Sequence, residues 1–419
     1  MLGVDSKNLN HRYSNLIILA AFLNIVALFS SCRDLPSEID QFEKKNLEQI
    51  TPLTNSWDKA IPHQEIPEGL NSITAKSCGA CHQEHYKEWQ YSTHSHAWTD
   101  PQFQAEIAKE SSPFMCINCH IPLQNQQELI VTGLVNGDIY NPVTHKNPHF
   151  DKELQQEGIN CASCHVRNGA ILGPTGTQEA PHKTIKDTLH LSENLCISCH
   201  NAVAVITPQL ACTFETGDEW KSGPYFGEKN CKSCHMPDTI RSIVPGYKKR
   251  KSKLHYFMGS GIPKFTDKPT KILNGLLIEP LNFKKAIKLG DTIHFTVNIT
   301  NEFAGHKIPT GDPERFIIIE QSIYTKDSIL FDQVKHRIGE EWEWYPIAKK
   351  VSDNNLLPKE KRSFKFDFIM PEEKNLYYEI KVSKHRSTEE NKTYNKLPLD
   401  YPISMDIFKE QYPINHTHH

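Results

Sequence analysis

Past its first 32 residues the chain has no apolar run long enough to span a bilayer. Mean hydropathy is −0.54 and 23% of the residues are charged, so no second membrane segment is expected. An excess of either charge is also missing. Lys and Arg number 47 against 50 Asp and Glu, a formal net charge of −3 with a pI near 6.7, which leaves no basic field for nucleic acid. Cysteines are not spare either: of twelve, ten fall in one recurring pentapeptide and only Cys32 and Cys212 remain, which argues against a disulfide framework. Between residues 73 and 265 there is little hydrophobic periodicity of helix or strand type. Segments such as "EHYKEWQ" and "FQAEIAKE" make short helices at best, with long loops such as 121–158 between them.

The recurring pentapeptide is C-x-x-C-H. It occurs at Cys78, Cys81 and His82; Cys116, Cys119 and His120; Cys161, Cys164 and His165; Cys196, Cys199 and His200; and Cys231, Cys234 and His235. From the chain's own Cys and His frequencies chance supplies ~0.02 such pentapeptides. The spacing fits c-type haem attachment, since two thiols add across the two vinyl groups of one porphyrin while the adjacent imidazole reaches the iron. Zinc ribbons use C-x-x-C pairs two by two; they have no use for a histidine after every second cysteine, and five is an odd number of half-sites. The motifs lie 35 to 45 residues apart, too few to bury five porphyrins in a separate protein core. Five covalent haem c groups are therefore expected to be the core of this region. No repeated sequence joins the motifs.

Cys32 ends the apolar run "LIILAAFLNIVALFSSC", preceded by Lys7 and Arg12. With Ser30 and Ser31 before the cysteine, this reads as a bacterial lipoprotein signal over 1–31, with lipid attachment at Cys32. Export follows, to the periplasm or the outer membrane and cell surface. Residues 32–72, with Pro36, Pro52, Pro62 and Pro67, read as a tether. The haem-bearing domain is expected over 73–265. Cys212 reads as a small buried thiol.

From about 270 the texture changes. "DTIHFTVNITN", "RFIIIEQSIYT", "SFKFDFIMP" and "YYEIKVSKH" alternate apolar and polar residues between turn formers, the signature of half-buried antiparallel strands. The fold class expected is thus multidomain: an irregular, short-helical multihaem cytochrome c domain followed by an antiparallel β-sandwich over 270–386. Phe364, Phe366 and Phe368 should share its inward face. Residues 387–419, ending "NHTHH", read as a polar, loose tail.

Each iron needs a decision on its second axial side: a protein ligand there gives a low-spin carrier, an open position binds small molecules. His94 and His96 stand at a bend after a short helix flanked by Trp89 and Trp98, His182 is fixed by Pro181, His255 closes the haem region, and His306 sits in the Gly-Pro-rich loop "EFAGHKIPTG" between two expected strands. Rigid turns suit a ligand, since coordination demands a fixed imidazole direction. His96, His145, His149 and His190 share the fifth place, unless one iron is five-coordinate. Met236 follows a proximal histidine and points away from that motif's own iron, and His85 reads as a surface residue or a neighbour of a propionate.

"CGACHQEHYKEWQYSTHSHAW", with its Tyr-x-x-Trp-x-x-Ser-x-His run, resembles the multihaem cytochrome c family that includes the tetrahaem electron acceptor of hydroxylamine oxidoreductase. "EGINCASCHVRNGAILGP" with the later "APH", "LCISCHN", "EW" before "CKSCHMP", and "NEFAGHKIPTG" are similar to bacterial multihaem cytochromes with an attached β-domain. The resemblance covers 73 to about 370. It implies His94 rather than His96 as a ligand, implies His182, and implies that His255 and His306 turn inward, so that the β-domain caps a porphyrin held by the other domain.

The expected function is single-electron relay between redox partner proteins by a membrane-tethered pentahaem cytochrome. The alternative is an oxidoreductase acting at one open haem on a small nitrogen or sulfur oxyspecies or a peroxide. No lysine replaces an attachment histidine, so the signature of one known multihaem nitrite reductase type is missing. A third possibility is a self-associating subunit in which a neighbour's histidine, with the "NHTHH" tail as donor, completes the fifth site.

Overall fold

A computed structural model of the protein describes residues 49–53, 59–207, 210–281, 283, 286–372 and 375–416. The expected signal segment, Cys32 and the last three residues lie outside them, as does the side chain of Cys212.

Each attachment motif rides on, or directly follows, a single short helix: Ala75–Gly79, Phe114–His120, Cys161–His165, Glu193–His200 and Cys231–His235. One helical turn brings residues three and four apart to one side, which gathers both thiols and the imidazole. Local capping explains why such brief helices form. Asn160 accepts a hydrogen bond from the Ser163 backbone N–H at 3.1 Å while Ser163 Oγ accepts from the Asn160 N–H at 3.2 Å. Asn230 and Ser233 repeat the exchange at the fifth motif. Each reciprocal pair satisfies two otherwise orphaned donors. At the first motif Thr74 caps Ser77, and the Glu157 carboxylate takes the Ala75 N–H at 2.7 Å.

The region has hardly any side-chain core of its own. Its buried apolar cluster is Ile73, Leu123, Leu154, Ala162 and Val166, whereas 21 buried residues form the core of the C-terminal half. Two expectations about its limits change. Residues 50–52 pair with the hairpin strand Leu129–Val135, Ile61 bridges to Leu123, and Gln64 is buried with its N–H on Asn125. The chain before 73 is therefore partly built into this domain rather than serving only as tether. The expected loop 121–158 contains that hairpin, Leu129–Val135 with Pro142–Lys146, and the helix Lys152–Gln156.

The C-terminal half holds two sheets. One has three antiparallel strands in the order Leu276–Pro280, Thr292–Asn301, Lys361–Ile369. The other has six, in the order Ala286–Ile287, Ser404–His416, Leu376–His385, Phe316–Thr325, Leu330–Glu343, Lys349–Asp353; its first pair is parallel and the rest antiparallel. Alternation buries Phe364, Phe366 and Phe368 on one face of their strand. Phe295 of the small sheet stacks on Tyr378 of the large one at 3.9 Å, and the Tyr378 hydroxyl donates to buried Gln321, so one core joins both layers. The loose tail expected from 387 is corrected. Ser404–His416 pairs with Leu376–His385 along its length, burying Ile414 and packing Phe408 and Tyr412 on the core. Its many polar residues face outward or lie along the backbone ladder, which is why composition disguised it.

The halves meet through several contacts. The Tyr401 hydroxyl donates to Asp100 at 2.6 Å, Arg386 donates to Tyr401 and to the Ile262 carbonyl, and Lys264 ion-pairs with Asp100. A Cβ on Gly223 would lie 2.1 Å from the Gly305 carbonyl oxygen, so the loop carrying His306 docks by backbone contact that only glycine permits.

Candidate cofactor-binding site

Four motif histidines face four distant histidines. His82 faces His182 with ring centroids 6.4 Å apart, and His200 faces His94, His165 faces His255 and His235 faces His306 at 6.3 Å each. Two metal–nitrogen bonds of about 2 Å, plus roughly 1.1 Å from each nitrogen to its ring centre, span roughly 6 Å when the imidazoles lie on opposite sides of one metal. Van der Waals stacking alone would bring such rings closer. The residues present therefore fit a haem iron between each pair.

The second nitrogen of most of these rings is tied down. A carbonyl only accepts, so Nδ1 must carry the proton where it meets one: His82 on Ile243 O at 3.3 Å, His120 on Ala97 O at 2.6 Å, His165 on Leu172 O at 2.8 Å, His235 on Met258 O at 2.5 Å. On the opposite side His255 meets Lys253 O at 2.9 Å and His306 meets Lys307 O at 2.8 Å, while Thr184 Oγ1 lies 3.1 Å from His182 Nδ1. At the carbonyl-bound rings Nε2 is left as the acceptor, the tautomer a metal requires. Burial together with neighbouring imidazoles lowers His94 and His255 to about 3, and burial brings His200 and His306 to about 4, so all four are neutral at physiological pH, as ligation demands. Burial likewise pushes the Cys116 and Cys164 thiols up to about 11.

His120 differs. Phe103 lies flat against its ring at 3.5 Å, and among the described residues no imidazole faces it at the spacing of the other four. Of the histidines considered for that place, His145 is exposed on a hairpin strand, His149 is exposed beside His63, and His190 spends Nε2 on the Cys164 carbonyl at 3.1 Å. His96 is buried with Nε2 unpartnered, but its ring meets Phe265 edge-on at 5.1 Å.

The five motifs are neighbours in space. The thiols of Cys78 and Cys161, of Cys199 and Cys119, and of Cys196 and Cys231 lie close enough to influence one another's protonation. Cys164 and Cys199 lie within electrostatic reach of each other. Motif one thus neighbours three, four neighbours both two and five, and three lies within electrostatic range of four.

Two residues were not singled out as site residues from sequence. Glu88, on the helix Gln83–Gln90, is buried in a bidentate pair with Arg241 and accepts the His255 backbone N–H at 2.8 Å. His85, read as surface or propionate-side, lies between sites one and three, 4.8 Å edge-on from His255 and 6.0 Å from His82, with Nε2 near Ser252 Oγ and Nδ1 buried without a partner. The helix starting right after His82 turns it inward by one turn, a cue the residue types do not give.

Residues 77–139 match the family Cytochrome c554 and c-prime. No curated protein matches the chain. The penta-heme cytochrome c552 from Thermochromatium tepidum shares its fold at a TM-score of 0.58 and 17% identity, over 83% of this chain and all (100%) of that one. The CARDB domain of the PF1109 protein from Pyrococcus furiosus also aligns, with 34% of this chain, 87% of that chain, 12% identity and a TM-score of 0.17, too low to bear on the fold. The chain is thus similar to that cytochrome family over its first two attachment motifs and shares the fold of a penta-heme cytochrome c.

Proposed function

We propose that the chain is an exported, membrane-tethered pentahaem c-type cytochrome that relays single electrons between redox partner proteins in the periplasm or at the cell surface, with its C-terminal half acting as a β-sandwich that supplies one axial ligand. The observation that carries this is the set of four facing imidazole pairs. Bound haem supplies a one-electron couple. The chain supplies two-sided ligation that leaves no position for substrate at those four sites, attachment motifs close enough to be continuous, and burial that keeps ligand imidazoles neutral. Low-temperature EPR of the oxidised protein, with covalent haem quantified on the same sample, tests the reading. Five haems with at least four low-spin centres support it; fewer than four low-spin centres defeat it. Cys32→Ala should release the protein from the membrane fraction, and persistent association would make the apolar run itself the anchor.

A second reading has its own observation: His120 stacks on Phe103, and among the described residues no imidazole faces it. One stoichiometric high-spin signal would make that site an open position, and nitrite, hydroxylamine and peroxide the first substrates to assay.

A further inference from the structure

The hairpin of Asp238–Arg241 and Arg250–Lys253 carries one acid and six bases between residues 238 and 253. In a chain whose acids outnumber its bases this is a concentrated positive surface. Its strands pair antiparallel, with Arg250 opposite Arg241 and Lys253 opposite Asp238, so alternate side chains divide between two faces. One face is anchored: Arg241 grips buried Glu88, Ser252 Oγ lies 3.1 Å from His85 Nε2, and Arg250 Nη1 donates to Thr175 Oγ1 at 3.1 Å. The other face is open. Ile240 is 75% exposed opposite Lys251, and Lys251 and Lys253 share Asp238. Tyr247, Lys248 and Lys249 stand exposed in the joining loop, and among the described residues Lys248, Lys249 and Arg250 take part in no ion pair.

The same loop touches attachment motif one. The Ile243 carbonyl accepts from His82 Nδ1 at 3.3 Å, and exposed Lys183 directly follows His182, the imidazole that faces His82. Exposed Lys186 lies at this end too, since a Cβ on Gly176 would come 3.1 Å from its backbone nitrogen and Arg250 reaches the adjoining Thr175. Of the ten attachment cysteines, Cys81 of this motif alone is exposed. A merely solvated run of charge has no need of a backbone bond to a ligand histidine or of exposed apolar side chains in its midst. Redox proteins meet through small, short-lived interfaces, brought together by opposite charge and fixed by a few apolar contacts.

We propose that the 238–253 hairpin, with Lys183 and Lys186, is the docking surface for an acidic one-electron redox protein that exchanges electrons with the haem of motif one. This rests on the relay reading above. One electron leaves the partner's reduced metal centre and one ferric haem becomes ferrous, with no bond made or broken. Lys248, Lys249 and Lys251 steer the partner, Ile240 and Tyr247 supply the apolar contact, and the loop backbone leads from that contact to His82. An anionic lipid surface would meet the same charges but has no use for a path to a haem ligand.

The test uses full-length holo-protein, with plant-type ferredoxin as an acidic one-electron donor and a basic single-haem cytochrome c as the opposite probe. Wild type is compared with the triple variant Lys248→Glu, Lys249→Glu, Lys251→Glu. Calorimetry gives the affinities, and stopped-flow absorbance gives the rate of reduction by ferredoxin. At about 0.01 M salt the triple variant should lose roughly tenfold in both, and the loss should vanish at about 1 M as the charges are screened. It should bind the basic cytochrome more tightly than wild type does, with covalent haem and EPR signals unchanged. The corresponding triple glutamine variant should lose less, and it replaces the first if that does not fold. Equal affinities and rates in wild type and variants overturn the proposal. So does an equal loss from reversing Lys288, Lys326 and Lys365, three exposed lysines of the C-terminal half, since net charge and not this surface would then act. So does charge-dependent capture by phosphatidylserine vesicles with the ferredoxin rate unmoved, which gives the hairpin to a lipid surface. Wild type with fewer than four low-spin haems overturns the relay reading and the proposal with it, and EPR shows that before any partner is added.

Discussion

The rings of His235 and His306 lie 16° from parallel with centroids 6.3 Å apart, one closing the last attachment motif and the other on the loop between strands Thr292–Asn301 and Phe316–Thr325. His306→Ala should turn one low-spin haem high-spin without loss of covalent haem, since Cys231 and Cys234 are untouched. EPR and a haem stain on the same sample decide it, and an unchanged spectrum rejects His306 as a ligand.

Glu88 ties two parts of the haem region together, with Arg241 at 2.5 and 2.9 Å and the His255 N–H at 2.8 Å. Both side chains are largely buried, at 5% and 14% exposure, so Glu88→Ala strands a guanidinium and should cost about 3–5 kcal/mol. Glu88→Gln keeps an acceptor for His255 and should cost less. Chemical denaturation gives the stabilities; equal losses for the two variants would show that the His255 contact is not what Glu88 holds.

Glu314 accepts hydrogen bonds from Ser387 and Asn391, but burial, helped by Asp312, raises its pKa from 4.5 to about 7. The folded state therefore keeps this proton longer than the unfolded one. Its contribution is full below pH 4.5 and is lost as pH rises through about 7, amounting to up to about 3 kcal/mol. Glu314→Gln should gain on wild type progressively across that window, which paired denaturation curves at pH 4.5 and 7.5 measure. The same difference at both pH values would contradict the assignment.

A stop after Ile403 removes the strand Ser404–His416 and leaves Leu376–His385 as an open edge with Tyr378, Ile380 and Val382 less covered. Exposed hydrophobic edges aggregate, so soluble holo-protein should fall sharply. Undiminished yield with a cooperative melt would make that strand dispensable.

What could be read without coordinates was whatever chemistry confines to a few consecutive residues. Two thiols and an imidazole for one porphyrin must lie within five positions, so the attachment motifs stand out at once. The Phe364, Phe366, Phe368 alternation is equally local, because pleat direction repeats every second residue. The turns bearing His94, His182, His255 and His306 were visible as rigid, but which motif each would face was not, because a distal ligand arrives from any distance along the chain.

The sequence by itself determined the number of attachment motifs and the change from motif-bearing to strand-forming texture, since each depends on residue type at short spacing. Tertiary structure alone decided the pairings His82–His182, His94–His200, His165–His255 and His235–His306. It also left His120 against Phe103 and made 404–416 a strand. The reason is the same in each case: an axial partner, a stacked ring and a hydrogen-bonded neighbour strand are relations between distant segments, and their energies exist only once the chain has brought those segments together.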